Sequence, residues 1–281
     1  MNKKLLIKNT INCHFEIIES VILKYRDILG ISDNIPIDIY LHVNDNLSYK
    51  KYINDKYPII KFQSLENYDY FINCTIYQKD LKNIDKEETP NKKYISHEIT
   101  EKLLENPNVF FLTPLSKKRY LYADVLPYSN SKKHTAGIPI YIIQGNLNQN
   151  RRYLDLLIKI LNNTYKYKFI IKLIGRGRLP KKLEKYKQKI KLKNNLSFID
   201  YHKEFLNAYC ILPLISKKTH PQYYTNKLTS TINYARGYKL KSLLDKDLQK
   251  IYNLQDVEVY NGINDISSSF RKTLQQFYKS K

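Results

Sequence analysis

The chain has 281 residues, 42% of them apolar, which is enough for two cores of ordinary size or one large one. Its formal charge of +22 comes from 48 Lys and Arg against 26 Asp and Glu, and no apolar run approaches the ~18 residues of a membrane span. Cys13, Cys74 and Cys210 are too few and too far apart for a disulfide framework or a CxxC zinc site, and the histidines show no metal-like spacing.

In chain order, the first half alternates strands and helices. The basic start has an apolar part of only Leu5–Ile7, too short for a secretory signal, so a soluble, cytoplasmic protein is expected. Lys4–Ile7 reads as a strand. His14–Leu29 reads as a helix with Ile18, Val21, Ile22, Tyr25, Ile28 and Leu29 on one face, ended by Gly30. Ile35–Val43 is a partly alternating strand and Ser48–Lys56 a weak helix. Ile59–Phe62 and Tyr70–Thr75 are short strands, and the charged stretch Lys79–Lys93 reads as loop. His97–Glu105 is a helix stopped by Asn106–Pro107, and Val109–Thr113 an apolar strand.

Pro127–Gly137 is polar, turn-rich and aperiodic, and the domain boundary is expected there. Beyond it come a strand at Pro139–Ile143, a loop at Gly145–Asn150 and a helix at Arg151–Leu161. Then follow a strand at Phe169–Ile174, a loop at Gly175–Leu179 and a basic helix at Pro180–Ile190. Leu196–Ile199 reads as a strand, Lys203–Tyr209 as a helix and Cys210–Ile215 as a strand. The polar loop Ser216–Tyr224 leads to a helix bearing Leu228, Ile232 and Ala235, stopped by Gly237. Lys241–Leu244 is a short strand, Leu243–Leu254 is left unassigned, and Asp265–Tyr278 is a final amphipathic helix. This alternation predicts two α/β domains with parallel sheets.

Only eight of the basic residues are arginine, and Lys, Asn, Ile and Tyr are all abundant, as AT-rich codons would give. Proteins selected to grip phosphates or base edges favour arginine for its planar fork, so most of the charge is read as solvated surface. The arginine placement is then informative. Arg151, Arg152, Arg176 and Arg178 stand in two short loops, with the scarce glycines Gly145, Gly175 and Gly177 in or beside them. A third loop ends at Thr225, Asn226, Lys227, Thr229, Ser230 and Thr231. All three loops are expected at the carboxyl edge of one parallel sheet. There cationic side chains, close backbone approach at glycine and open helix ends suit a diphosphate.

The segments IYIIQGNLNQNRRYLDLLIKIL, FIIKLIGRGRLPKKLEKY, LSFIDYHKEFLNAYCILPLI and YYTNKLTSTINYARG, in that order, resemble the C-terminal, donor-binding domain of GT-B glycosyltransferases. The resemblance covers about 130 residues from Ile140 onward. It implies that Arg151 takes the place of the family's phosphate-contacting basic residue and that Gly175 and Gly177 form its glycine turn. Lys227, Thr229, Ser230 and Thr231 take the loop and helix that hold the donor's phosphates and sugar. Tyr224 and Ile232 stand where many retaining members carry a pair of glutamates. Asn146 replaces a common arginine and Arg176 a common acidic residue, which leaves sugar selection and stereochemistry open. The composition is also similar to that of glycosyltransferases of giant DNA viruses, which would place the protein in host cytoplasm or virion.

The expectation is therefore an α/β protein of two Rossmann-like domains in the GT-B manner, with a cleft between them. An acceptor-side domain would span 1–130, a donor-binding domain 138–264, and a last helix, 265–281, would be able to pack back on the first domain. The protein would move a sugar from a nucleotide-diphosphate sugar to a hydroxyl of a glycan, protein or small-molecule acceptor. It would need no metal and no cofactor beyond the donor. Gly145, Arg151, Arg152, Gly175, Gly177, Arg178, Tyr224, Lys227, Thr229, Ser230 and Thr231 are the expected donor-binding residues. His14, with Glu16 to orient it, is the candidate base. The rival readings are a basic α/β nucleic-acid-binding protein, or this fold without catalysis.

Overall fold

The computed structural model describes residues 3–9, 11, 14–41, 48–60, 64–84, 91–121, 124–129, 137–147 and 151–280. Cys13, His42, His134, the middle of the Pro127–Gly137 segment and the 148–150 tip of the loop after Gly145 lie outside the described residues. The chain divides into two compact units. One comprises Met1–Leu126 with Asn226–Leu228, the other Pro127–Thr225 with Thr229–Lys281.

The first unit runs β1 (Leu5–Asn9), α1 (Phe15–Leu29), β2 (Ile37–Leu41), α2 (Tyr49–Asn54), β3 (Tyr70–Cys74), a 3₁₀ turn at Gln78–Asp80, α3 (Leu81–Ile84), β4 (Lys92–Ser96), α4 (Glu101–Glu105) and β5 (Val109–Phe111). The strands form a parallel sheet in the order β2-β1-β3-β4-β5. Strands such as LLIKN and YFINC are buried almost throughout, as strands covered by helices on both faces must be. The apolar stripe of α1 is buried along Ile18, Val21, Ile22, Tyr25 and Ile28. Gly30 ends the helix at φ 67°, its N–H donating to Arg26 O at 2.8 Å.

The second unit runs β6 (Ile140–Asn146), α5 (Leu154–Asn163), β7 (Ile170–Arg176), a 3₁₀ stretch at Lys181–Tyr186, β8 (Ile190–Asn194), α6 (Phe198–Leu206), β9 (Cys210–Ile211), α7 (Gln222–Thr225), α8 (Ser230–Gly237), β10 (Lys241–Asp245), α9 (Lys246–Tyr252), β11 (Val257–Tyr260) and α10 (Ile266–Lys279). Its sheet is also parallel, in the order β11-β10-β9-β6-β7-β8. In each sheet the chain leaves its first strand toward one side and later returns to the other. The switch lies between β1 and β3 in one sheet and between β6 and β9 in the other. Ligands of open parallel sheets sit outside the carboxyl ends of strands at such points.

Several elements differ from the sequence expectation. Leu196–Ile199 is not a strand, because Ser197 caps α6, its Oγ accepting from Asp200 N at 3.1 Å, and that cap outweighs the β propensity of Phe198 and Ile199. The strand of that region is β8, at the end of the segment expected to be a basic helix. Its alternating Ile190, Lys191, Leu192, Lys193 suits the edge of a sheet. Lys92–Ser96, expected in part as loop, is an interior strand.

The last helix contributes to the core of the second unit. Ile266, Phe270 and Leu274 of α10 are buried in the second unit's core with Tyr141 and Phe169. There the Tyr141 and Phe270 rings lie 4.4 Å apart, and the Tyr141 hydroxyl pairs with Thr273 Oγ1 at 2.7 Å. Its apolar face is thus spent on the sheet that precedes it in sequence.

Candidate functional site

At the carboxyl edge of the second sheet, Gly145 on β6 and Gly175 on β7 face each other in register. Both have left-handed backbone, φ 103° and 143°. A Cβ on Gly175 would lie 2.0 Å from Gly145 O, and one on Gly145 would lie 2.6 Å from the Arg152 guanidinium. Gly177, at φ 128°, sits over Leu147, and Arg176 O accepts from Leu147 N at 3.0 Å. The glycines therefore let two strand ends and an arginine share one volume.

Gln144, on the strand residue before Gly145, is buried and joins the surrounding elements. Its Nε2 donates to Ser230 Oγ at 3.1 Å and Thr231 Oγ1 at 3.0 Å, at the start of α8. Its Oε1 accepts from the Tyr201 hydroxyl of α6 at 2.6 Å, and its carbonyl accepts from Arg152. The Ser230 and Thr231 hydroxyls thus hold α8 to β6. Sequence reasoning passed over Gln144; its only signal is a polar residue closing the apolar run YII just ahead of a glycine.

Arg152 is 5% exposed. Its guanidinium donates to the carbonyls of Arg151 (2.6 Å) and Gln144, and its Nε–H has no partner among the described residues. Burial lowers its pKa, opposed by the nearby Tyr223 and Tyr201 hydroxyls. No carboxylate is among these partners, so the buried charge is met by carbonyl dipoles alone, a costly arrangement unless an anion completes it. On α8 the side chain of Asn233 is fully buried, and among the described residues neither of its amide atoms has a partner. Arg151 and Arg178 are exposed. Tyr224 faces inward: its hydroxyl donates to Ile215 O at 3.3 Å, and burial, with Asp245 and Tyr260 nearby, pushes its pKa up. Thr229 is buried as the N-cap residue of α8, without a side-chain cap bond.

The other expected residues gather at the carboxyl edge of the first sheet. His14 precedes α1 with φ 59° and ψ 36°, a left-handed conformation uncommon for a non-glycine residue. Its Nδ1 lies 3.2 Å from Glu16 Oε1. With Nδ1–H donated to that carboxylate, Nε2 carries the lone pair, the arrangement a general base needs. The His97 ring lies 4.5 Å from that of His14 and edge-on to Tyr77 at 5.4 Å. Lys227 joins this cluster: it forms an antiparallel bridge with Glu98, flanked by Ile99 N to Asn226 O at 2.7 Å and Leu228 N to His97 O at 2.8 Å. The structure therefore groups Lys227 with the histidines of the first unit.

Burial, with His14 and Lys227 nearby, lowers the His97 pKa to about 3. Because the unfolded chain titrates near ~6.5, it binds a proton that the folded chain refuses between about pH 6.5 and 3. Stability should thus fall as pH drops through that window, by up to about 1.4 kcal/mol per unit from this group. His97→Phe should flatten that slope in thermal melts. The difference between variant and parent isolates His97 from Glu19, whose carboxyl is raised by burial and acts in the opposite sense. Equal slopes would show that His97 is protonated in the folded protein.

Among the described residues no group of three or more His, Cys, Asp or Glu is placed to hold a metal, and no helix is long and apolar enough to cross a membrane. Neither a family model nor a curated protein matches the chain. Solved structures do. A glycosyltransferase from Rickettsia africae superposes with a TM-score of 0.61 at 12% identity, over 98% of this chain and 89% of its own. A putative UDP-N-acetylglucosamine 2-epimerase from Listeria monocytogenes gives 0.54 at 11%, over 98% and 88%. The E. coli heptosyltransferase WaaC with ADP-2-deoxy-2-fluoro heptose gives 0.51 at 10%, over 99% of both chains. At these identities the likeness is one of fold: two parallel sheets with flanking helices, as in two-domain GT-B glycosyltransferases.

Proposed function

We propose that the protein is a glycosyltransferase that moves a sugar from a nucleotide-diphosphate sugar to an acceptor hydroxyl. The observation that carries this is Arg152, a buried guanidinium with no counter-anion among the described residues, at the switch point of a sheet whose glycine-lined edge lets a ligand approach the backbone. Two fold neighbours named with a nucleotide sugar, one for UDP-N-acetylglucosamine and one with ADP-2-deoxy-2-fluoro heptose, support the same substrate class. On this reading Arg152 and the exposed Arg151 and Arg178 meet the diphosphate, and Lys227 adds an ammonium to stabilise it as it leaves. His14, oriented by Glu16, takes the proton from the acceptor hydroxyl as its oxygen attacks the anomeric carbon, and the nucleoside diphosphate departs. Side chains meet the leaving group's charge here, so EDTA should leave the activity unchanged.

The first test is a thermal-shift screen of nucleoside diphosphates and nucleotide sugars. A ligand at ~100 times its Kd adds roughly 2.7 kcal/mol of stability. Arg151→Ala and Arg178→Ala each remove a charge-assisted contact worth roughly 1.5–3 kcal/mol, so diphosphate affinity should weaken by about one to two powers of ten. The melting temperature without ligand should hold, because both side chains are exposed. Affinity unchanged in both variants would take them out of the site. Product analysis separates transfer from the rival outcome of the same fold: an isomerised sugar nucleotide without acceptor would mean an epimerase.

A further inference from the structure

The amino edge of the second sheet carries a surface the proposed chemistry does not use. Two lysine-tyrosine stretches precede the paired strands β7 and β8: Tyr165-Lys166-Tyr167-Lys168 and Lys185-Tyr186-Lys187-Gln188-Lys189. They are built together. Lys189 Nζ donates to Tyr167 O at 2.6 Å, and the Tyr186 hydroxyl reaches Asn162 Oδ1. The Tyr278 hydroxyl, at the end of α10, donates to Lys168 O at 2.7 Å and brings Lys279 alongside. Tyr165 is 64% and Tyr278 40% exposed. Lys166, Lys168, Lys185, Lys187 and Lys279 are exposed, and among the described residues none has an acidic partner. Edge protection accounts for Lys191 and Lys193 on β8, but not for lysines in the loops ahead of the strands.

We propose that this surface docks the protein on an anionic lipid bilayer. Lysine ammonium groups gain about 1 kcal/mol each near such a surface, and exposed tyrosines suit the headgroup level. The geometry favours a bilayer over a nucleic acid strand in two respects. No arginine stands in these two stretches, so the charges are points without the fork that grips individual phosphates or base edges. The protein's own lysines also lie over one side of the two tyrosine rings: Lys166 lies 5.8 Å from the Tyr165 centroid and Lys185 4.9 Å from that of Tyr186. One face of each ring is thereby engaged, which leaves less for the base stacking that strand binding uses. The surface lies at the opposite edge of its sheet from the glycine loops, so docking leaves Arg152 and its surroundings accessible.

The test is sedimentation of the full chain with phosphatidylcholine vesicles, with and without phosphatidylserine. The protein should bind only the phosphatidylserine vesicles and should be released at about 1 M salt, where the Debye length falls to about 3 Å. A variant with Lys166, Lys168, Lys185 and Lys187 all changed to Gln should lose about two to three powers of ten in partitioning, with melting temperature and diphosphate binding unchanged. Tyr165→Ser should weaken binding by a smaller factor. Binding that survives the four substitutions, or that does not need phosphatidylserine, overturns the proposal. So does binding of polyuridylate, lost in the variant, without binding to vesicles.

Discussion

Gly175→Ala is expected to lower the melting temperature of the protein by about 10–15 °C. The added Cβ would lie 2.0 Å from Gly145 O, a backbone atom that cannot rotate away, at a φ of 143° that side-chain-bearing residues rarely adopt. Backbone strain of this kind costs about 1–3 kcal/mol, and forcing packed elements apart a further 1–3. For a unit of this size each kcal/mol corresponds to about 2–4 °C. Gly262→Ala is the control: it too has positive φ, 76°, but its Cβ would meet nothing within 4 Å. It should therefore show the strain contribution alone. If both variants melt alike, β6 and β7 do not close at the glycine pair as described, and the ligand edge loses its geometry with them.

His14→Gln is expected to reduce sugar transfer by about two to four powers of ten, the usual worth of a positioned base, while diphosphate binding stays at the parent level. Transfer at the parent rate in His14→Gln would return the residue to its place as an unusual helix start. Loss of transfer together with loss of the diphosphate-induced thermal shift would instead indicate damage beyond the base.

How much of this was legible in the sequence depended on whether the signal was local. The apolar periodicity of α1, α5 and α10 marked their inward faces, and Gly30 and Gly237 marked stops close to the observed helix ends. Strands announced by short apolar runs, such as Tyr70–Cys74, were equally plain. What failed was local preference overruled by a neighbour. Ser197 turned Phe198 and Ile199 into the first turn of a helix, and pairing with β7 made a strand of Ile190–Asn194, where the expected basic helix ended at Ile190 and the next residues had no assignment. Val257–Tyr260 pairs β10 as a strand that was not recognised. The glycine edge was readable because glycine is scarce in this chain. The partners of Arg152 were not, because a backbone carbonyl leaves no mark in sequence. Nor was Lys227, whose place beside His97 depends on contacts between segments far apart along the chain.

The tripeptide Asn226–Leu228 belongs to the first unit although about 100 residues of the second are made before it. At about 5–20 residues per second, a ribosome would release it roughly 5–20 s after the rest of that unit. Until then His97 O and Ile99 N have no strand to pair with, and the first unit waits with an open backbone edge beside its paired imidazoles. The same order governs limited proteolysis. A nick after Leu126 would leave the two pieces still joined non-covalently through this tripeptide, whereas a fragment ending at Leu126 would lack it altogether. Adding a synthetic peptide that spans Asn226–Leu228 to such a fragment would be the direct way to close that edge in trans.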